Sequence, residues 1–287
     1  MTPNLSRFDT IYTLGPEGTF SYQAAHAVGG DRIKRIEYTT TIPQIADEVQ
    51  KSESVIGVMP IENSISGTVA QAQDCLVDAE VVIINELLID VRYSLLSHVP
   101  IAEIAHYFCH SVAFNQNMVF ASKQMPNAEV VFAKSNIHAG EMFLDRPTEP
   151  VAAIVPYPVA RTNPLYRKKI VADDTQDYRE NLTRFIVLQK KPADYSPDFT
   201  RKKTALYVAF TEDRHSLLFE LLCEFHVYKI NLCRLESRPH KEIAWSYSFF
   251  IDFHNNHRVG TCLSALQKLN IEYKLFGSYD IISNEIS

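Results

Sequence analysis

Short apolar runs alternate with segments of helical period through the first two thirds of the chain, and this rhythm constrains the fold more than any other feature. Residues 11–14, 33–38 and 54–59 are apolar runs of strand length, and a helix-period segment follows each of them. The alternation pauses at 81–97, a long β-rich stretch, and then resumes. Strands that alternate with helices favour α/β layers, in which helices cover a sheet. We therefore predict an α/β fold in which the 81–97 stretch crosses from one lobe to another.

The last third of the chain has a different order of elements. Residues 190–203 contain two prolines and several charges without a hydrophobic period, which is typical of a linker. The segment beyond it has the order βαββαβ, the ferredoxin-like arrangement. These patterns predict a first domain of two α/β lobes at 8–190, with crossovers near 85–97 and 173–183, a linker at 191–202 and a second domain at 203–287.

The composition limits the kinds of partner. The chain has 287 residues, of which 46% are hydrophobic, and a formal net charge of −6, so we expect no broad surface for nucleic acid or for anionic membranes. Its five cysteines are odd in number and form no Cys-x-x-Cys pair, which argues against a disulfide framework. Residues 1–10 lack a signal-peptide core and no apolar run is long enough to span a bilayer, so we expect a cytoplasmic protein.

A glycine-rich turn at residues 15–21 follows the first predicted strand and opens the first predicted helix. Backbone N–H groups at a helix start bind anions, and the hydroxyls of Thr19 and Ser21 add donors. The alternative is a tight turn in which one of these hydroxyls caps the helix. The turn is not a dinucleotide fingerprint, because the third glycine is missing and Glu17 would repel a pyrophosphate.

A second polar segment, Glu62, Asn63 and Ser64, follows the strand at 55–59. Ligands of open α/β sheets bind at the carboxyl ends of strands, and Glu62 would be a useful acid there if it were partly buried. The alternative is a solvated Glu62 beside a helix cap. Ser135 also begins a helix, where its hydroxyl either meets a ligand or simply caps the helix. The histidines and cysteine around residue 109 lack a third ligand at metal-binding spacing, so we expect no metal.

The segment Asn181-Leu182-Thr183-Arg184-Phe185 places a hydroxyl beside a permanent cation where a polar stretch becomes an apolar strand. The planar fork of Arg184 matches a carboxylate in shape and charge. The pair therefore suits a small anion whose own hydroxyl must be handled. In the second domain, a cluster of Glu236, Ser237 and Arg238 at a strand end suits a zwitterionic amino acid, or is only a charged strand end stopped by proline.

In order and spacing, these segments closely resemble the prephenate dehydratase family, in which a catalytic region precedes an ACT domain. The resemblance runs from about Tyr12 to Tyr279, and its most specific signals are residues 14–21, 57–64, 181–185 and 230–239. It implies a two-lobed catalytic region like type II periplasmic binding proteins and a ferredoxin-like ACT domain. It also implies a homodimer or homotetramer, no cofactor, and inhibition by L-phenylalanine.

The resemblance also implies roles for individual residues. Thr183 is the key catalytic residue, with Glu62 and Asn63 beside it. The implied substrate-binding residues are Thr19, Ser21, Ser64, Gln116, Ser135, Arg184 and Phe185. The implied phenylalanine-binding residues are Ser216, Leu217, Asn231, Leu232, Glu236, Ser237 and Arg238. Two departures from the family pattern stand at usual glycine positions, His215 and Lys229, so we expect weaker inhibition than is usual in the family.

The implied reaction converts prephenate to phenylpyruvate, water and carbon dioxide. Aromatisation of the ring drives it, so the protein needs neither a strong nucleophile nor a metal. Because an alcohol is a weak acid, we expect Thr183 to donate a hydrogen bond to the leaving hydroxyl, with Glu62 as the proton source. The alternatives are an arogenate dehydratase, a prephenate decarboxylase that does not aromatise its substrate, and a non-catalytic amino-acid sensor on the same scaffold.

Overall fold

A computed structural model describes residues 5, 7–30, 33–210, 215–239 and 246–282. The strands among them are β1 (Thr10–Leu14), β2 (Arg35–Thr39), β3 (Val55–Asn63), β4 (Gly67–Thr68), β5 (Val81–Asp90), β6 (Tyr93–Ser97), β7 (His106–Cys109), β8 (Glu129–Phe132), β9 (Val151–Pro156), β10 (Ile170–Asp173), β11 (Leu182–Lys190), β12 (Lys203–Ala209), β13 (Leu232–Pro239), β14 (Tyr247–His254) and β15 (Tyr273–Ile281). The helices are α1 (Phe20–Gly29), α2 (Ile42–Lys51), α3 (Ala70–Asp78), α4 (Ser111–Gln116), α5 (Met118–Gln124), α6 (Asn136–Leu144), α7 (Tyr157–Thr162), α8 (Pro164–Arg167), α9 (Leu217–Val227) and α10 (Val259–Lys268).

The first lobe is built on the strand order β2-β1-β3-β11-β5. The pairs β1–β2 and β1–β3 are parallel, whereas β11 returns antiparallel to both β3 and β5. Apolar side chains leave both faces of these strands, which is the pattern of a sheet covered on both sides. One face packs against α1 and the other against α2 and α3.

The second lobe repeats this order in a five-stranded sheet, β8-β7-β9-β6-β10. The chain passes to it between β5 and β6 and returns between β10 and β11. The two crossing segments lie side by side: the Val91 N–H donates to the Asn181 oxygen over 2.7 Å, and the Thr175 N–H donates to the Tyr93 oxygen over 3.2 Å. The predicted two-lobed α/β architecture is confirmed.

The C-terminal unit, β12 to β15 with α9 and α10, has the βαββαβ order and the sheet order β13-β14-β12-β15, so the ferredoxin-like prediction is also confirmed. The end of β15 pairs with β5, with Asp280 opposite Asn85 and Ile281 opposite Glu86. This pairing joins the unit to the first lobe in a single ten-stranded sheet. One hydrophobic cluster spans the join, where Phe250 and Phe276 pack with core residues of the first lobe.

Two details complete the comparison with the predicted elements. The sequence pattern after the 81–97 stretch predicts a single helix across residues 112–123. The structure has two helices there, because the Asn117 side chain donates to the Ala113 oxygen over 2.7 Å and interrupts the turn. Strand β11 ends at Lys190 and β12 begins at Lys203, while the domain boundaries at 8–190, 191–202 and 203–287 stay predictions. In the part of the chain that the structure describes, no helix has the length and apolar character needed to cross a membrane.

Candidate active site

The first pair of the site is Thr183 and Asn63, which lie opposite each other at the ends of β11 and β3. Directly opposed residues of an antiparallel pair place their side chains on the same face of the sheet. The Asn63 amide Nδ2 donates to the Thr183 hydroxyl oxygen over 3.0 Å. Within the described ranges, no group accepts the hydroxyl's own hydrogen, which leaves Thr183 able to donate outward.

The orientation of the Asn63 amide follows from its other bonds. Its oxygen accepts from the backbone N–H groups of Ile65 (3.0 Å) and Ser66 (2.8 Å), so its nitrogen must face Thr183. That nitrogen also donates to the side-chain oxygen of Asn181 over 2.8 Å. Asn181 is 3% exposed and is a second, buried partner of the amide. The site therefore has a preorganised donor and acceptor pattern rather than a mobile amide.

A chain of hydrogen bonds continues from this pair into the second lobe. The Gln116 amide Nε2 donates to the Ser66 hydroxyl over 3.3 Å, and the Tyr93 hydroxyl donates to the Gln116 oxygen over 3.2 Å. Gln116 is buried at the end of α4 and reaches Ser66 of the first lobe, and its predicted contact with substrate stays a prediction. Burial raises the pKa of Tyr93 above its usual range, so its phenol stays protonated and can donate.

Two helices begin at predicted site residues. The Thr19 oxygen accepts from the Tyr22 N–H over 3.2 Å, and the Ser135 oxygen accepts from the His138 N–H over 3.0 Å. Both hydroxyls are therefore N-caps, which was the alternative interpretation in each case. Ser21 lies buried in the first turn of α1. The caps use the amides of Tyr22 and His138, and the amides that precede these two in each helix have no partner within their own helix, so they are suited to an anion.

The side chain and the backbone of Ser64 both bond to the segment that leads into Thr183. Its hydroxyl donates to the Glu180 oxygen over 3.1 Å and accepts from the Leu182 N–H over 3.0 Å. Its own N–H donates to the Leu182 oxygen over 2.8 Å. Ser64 thus fastens the end of β3 to the segment that leads into Thr183. Its hydroxyl has a structural role, and the expected substrate contact of Ser64 stays a prediction.

Glu62 and Arg184 lie on the opposite face of the same two strands. They are also paired across β3 and β11, one residue from Asn63 and Thr183, and successive side chains of a strand point to opposite faces. The Arg184 guanidinium contacts Glu62 (3.4 Å), Glu86 (3.3 Å) and Asp252 (2.5 Å). We therefore correct two expectations: Arg184 is not placed to clamp a substrate carboxylate beside Thr183, and Glu62 is not placed to protonate the leaving group.

The electrostatics of Arg184 agree with this assignment. Its side chain is only 11% exposed, and burial alone would lower its pKa. Asp252, Tyr279 and Glu86 raise the pKa by more than burial lowers it, so the net shift is upward. The guanidinium is therefore a permanent buried cation that neighbouring carboxylates already neutralise. Such a group has little charge left to attract a substrate.

Phe185 is also corrected. It is 1% exposed and packs in the core between the sheet and α1, with Phe8, Val58 and Leu87. Its position follows from the strand alternation, because it shares a face with Thr183 but lies one step deeper in the lobe. The ring therefore anchors β11 and does not line the site.

The predicted regulatory cluster divides between two faces of β13. Glu236 accepts from Gln73 Nε2 over 3.1 Å, and Arg238 contacts Asp74 over 2.8 Å, so both face the first lobe. Ser237 is exposed and points the other way. Ser216 is at the N-cap position of α9 without a side-chain capping bond, and Leu217 begins the helix, while Asn231 and Leu232 lie where β13 begins. The expected single pocket of Glu236, Ser237 and Arg238 is therefore corrected, since a strand cannot turn three successive side chains to one face.

Sequence reasoning missed three residues that complete the hydrogen-bonded site. These are Asn181, Ser66 and Tyr93. Asn181 lies in the 181–185 segment and Ser66 lies two residues after the Glu62, Asn63 and Ser64 segment, and their polarity beside an apolar strand was a usable signal. Tyr93 carried no such signal, because it lies within an apolar β-rich stretch.

Comparisons with known proteins identify the family of the chain. The family model for prephenate dehydratase matches residues 11–193. The prephenate dehydratase of Amycolatopsis methanolica is 33% identical over 281 residues, covering 94% of this chain and 88% of that protein. The prephenate dehydratase of Methanocaldococcus jannaschii is 31% identical over 278 residues, covering 94% of this chain and 97% of that protein.

Solved structures give the same result for the fold. The prephenate dehydratase of Arthrobacter aurescens, in complex with L-Phe, matches with a TM-score of 0.79 at 29% identity, covering 94% of this chain and 90% of that chain. The enzyme of Staphylococcus aureus has the same fold, with a TM-score of 0.80 at 24% identity, covering 95% and 100%. The resemblance of the sequence is thereby confirmed, and the chain belongs to the prephenate dehydratase family.

Proposed function

We propose that the protein is a prephenate dehydratase, a lyase that converts prephenate to phenylpyruvate, carbon dioxide and water. Family membership supports the substrate, and the observation that carries the chemistry is the Asn63–Thr183 pair. The Asn63 amide occupies one lone pair of the Thr183 hydroxyl and fixes its position. The hydroxyl hydrogen is then directed to a substrate oxygen in the space between the lobes.

Thr183 acts as a hydrogen-bond donor to the departing hydroxyl. As the bond from ring carbon to oxygen lengthens, negative charge grows on that oxygen and the hydrogen bond becomes stronger. An interaction that strengthens in this way lowers the barrier more than it stabilises the bound substrate. The Asn63 amide increases the effect, because a hydroxyl that accepts a hydrogen bond is more polarised as a donor.

The substrate carboxylates need donors other than Arg184. The first-turn amides of α1 and α6 provide them, since both helices begin at capped residues and their N-terminal dipole ends are positive. The retained carboxylate, on the pyruvyl side chain, is held by these amides. The carboxylate that leaves as carbon dioxide needs a poorer hydrogen-bonding environment, because donors would stabilise its charge and oppose decarboxylation.

The reaction of the prephenate dianion gives phenylpyruvate anion, carbon dioxide and hydroxide, so one proton is needed to release water. Because Glu62 is ion-paired on the other face of the strands, we assign this proton to solvent. Glu62→Gln is therefore expected to leave the acidic limb of the pH–rate profile in place. A lost or displaced acidic limb would return Glu62 to the role of proton source.

The test of the function is a direct assay with two substrates. The protein is incubated with prephenate and then with arogenate, and phenylpyruvate and phenylalanine are measured by liquid chromatography. Formation of phenylpyruvate from prephenate, with little phenylalanine from arogenate, is the expected result. Preference for arogenate would make the protein an arogenate dehydratase, a ring that is decarboxylated but not aromatised would indicate a decarboxylase, and no turnover would favour a sensor.

We also propose that the C-terminal unit is an ACT domain that binds L-phenylalanine and inhibits the enzyme in a cytoplasmic homodimer or homotetramer. The Arthrobacter aurescens relative in complex with L-Phe supports this regulation. Ser216, Leu217, Asn231 and Leu232 remain candidates for the contact. Lys229 has a left-handed backbone, with φ of 54°, at the place of a family glycine, so inhibition is expected to be weak. Tight, cooperative inhibition in a titration with phenylalanine would contradict this expectation.

A further inference from the structure

Strands β3 and β11 have a second pair of residues directly behind the Asn63–Thr183 pair. Glu62 and Arg184 occupy the neighbouring register positions of β3 and β11, on the face that meets the C-terminal unit. A shift of the backbone at Glu62 or Arg184 also moves Asn63 or Thr183, because the two residues of each strand are adjacent in the chain. The Glu62–Arg184 pair can therefore change the geometry of the site although the substrate does not contact this pair.

The C-terminal unit contacts both members of this pair. Asp252 on β14 bonds the Arg184 Nη2 over 2.5 Å, and the Arg234 Nε on β13 lies 3.5 Å from Glu62. The side chain of Arg234 is 9% exposed. It also donates to the Thr68 hydroxyl over 2.9 Å, on the strand that folds back beside Glu62. Arg234 therefore holds both arms of the β3–β4 turn that contains Asn63.

Most charges in this cluster are buried and interlocked, and Glu62 is the exception, with a side chain that is 35% exposed. Glu86 is 2% exposed and contacts Arg184 (3.3 Å) and the Lys203 ammonium. Asp252 is 4% exposed, and the Arg184 Nε makes a 3.4 Å contact with Glu62 without a well-aligned hydrogen bond. A buried charge that loses its partner must find another or draw in water, so the surrounding strands shift. The cluster consequently has few alternative arrangements while all its members remain.

We propose that Arg184 and Glu62 are positioning residues for the Asn63–Thr183 pair, and that Asp252 and Arg234 of the C-terminal unit hold them in place. The C-terminal unit thereby sets the turnover of a site to which it contributes no substrate contact. The proposal rests on the proposed function for its kinetic readout. Its structural readout, the mobility of the strand ends, does not depend on any substrate.

The kinetic experiment uses two substitutions in the C-terminal unit of the full chain, Arg234→Gln and Asp252→Asn. Each is expected to lower kcat about 10- to 100-fold, the size of effect that follows a misplacement of roughly 1 Å in a catalytic pair, with KM changed less than about twofold. Arg234→Lys keeps the charge and is expected to recover part of the loss. The matched control is Lys274→Gln, which removes bonds from β15 to the Val77 and Ala79 oxygens at the same interface but leaves the cluster intact.

A double substitution separates positioning from general loosening. Glu62→Gln combined with Arg234→Gln removes both partners, so its loss in kcat is expected to be no larger than that of the worse single variant. Amide hydrogen exchange across residues 61–66 and 181–185 is expected to accelerate in Arg234→Gln and not in Lys274→Gln. If Asp252→Asn fails to fold, the Arg234→Gln and Arg234→Lys variants still give the answer.

The outcomes are distinct. Unchanged kcat in folded Arg234→Gln, multiplicative losses in the double variant, or an equal loss in Lys274→Gln would overturn the positioning role. An inactive wild-type protein would refute the proposed function alone, and hydrogen exchange would then decide the inference. Unchanged exchange in Arg234→Gln would refute it in that case.

Discussion

The front and back faces of the β3–β11 strand pair are held by opposite kinds of interaction. On the front, Asn63 and Thr183 meet through neutral hydrogen bonds, the closest being 2.8 Å from Asn63 to Asn181. On the back, Glu62 and Arg184 belong to a buried cluster of charges. A neutral hydrogen bond contributes a modest net free energy, whereas a buried ion cluster resists movement because each displaced charge loses its compensation.

Adjacent residues of a motif do not necessarily share a site. Thr183 and Arg184 are neighbours in sequence, yet Thr183 bonds to Asn63 on one face of the sheet and Arg184 faces the C-terminal unit on the other. The chemistry is assigned to the weakly held face and the alignment to the strongly held one. Each face can be broken separately, and the size of the effect should rank them.

The largest effect is expected on the front, from Thr183→Val. The substitution keeps the branched shape but removes the donor to the leaving hydroxyl, so kcat should fall about 10²–10³-fold. Thermal unfolding should change little, because the back cluster is intact. Steady-state kinetics with prephenate measures the loss.

Thr183→Ser is the matched control, because it retains the hydroxyl that accepts from Asn63. It is expected to keep most of the activity that Thr183→Val loses. Near-normal turnover by Thr183→Val would remove the hydroxyl from the mechanism. The chemistry could then no longer be assigned to the front face of the strand pair.

Gly277→Ala is expected to have a smaller effect on catalysis and a larger one on stability. It acts on the back face by displacing the backbones of β15 and β5 from each other. Gly277 has φ of 151°, and a Cβ there would lie 2.2 Å from the Ile83 backbone oxygen of β5. Backbone strain and overpacking together should lower the free energy of unfolding by about 2–4 kcal/mol. Urea unfolding measures this change, and a variant as stable as wild type would show that the join between β5 and β15 is loose.

The smallest effect is expected from Lys229→Gly, which lies away from both faces. Lys229 is exposed and has a left-handed backbone, with φ of 54°, which costs a residue with a Cβ more than it costs glycine. After allowance for the greater freedom of glycine in the unfolded chain, the free energy of unfolding should rise by about 0.5–1 kcal/mol. Asn270, whose φ is 56°, offers a parallel site, and Asn270→Gly should give a smaller gain because asparagine tolerates this region.

The architecture was predictable from the sequence because strand and helix periods report local burial directly. The alternation through residue 190 and the βαββαβ order after residue 203 both describe the observed elements. The helix at 112–123 was the exception, since a single asparagine side chain that bonds its own turn leaves no trace in the hydrophobic pattern. Long-range pairing between β15 and β5 was equally hidden, because it joins residues almost 200 positions apart.

The site was only partly predictable for a related reason. The pairing of Asn63 with Thr183 depends on the register of two distant strands, and the same register sends Glu62 and Arg184 to the other face. The period of two in a strand predicts that Arg184 and Phe185 point to opposite faces of the sheet. It does not predict that the face of Arg184 is buried, because the C-terminal unit covers that face. The caps at Thr19 and Ser135 were foreseen as alternatives because capping is a local interaction.

The continuous ten-stranded sheet has a consequence for the exchange of parts between proteins of this architecture. A chimera that receives a foreign C-terminal unit must reproduce a glycine under the β5 backbone, a strand end that pairs with residues 85 and 86, and charges of the correct sign beneath β3 and β11. Cutting and rejoining the chain in the segment before β12 satisfies none of these conditions. A successful graft would have to transfer the two sides of the join together, as one cooperative folding unit.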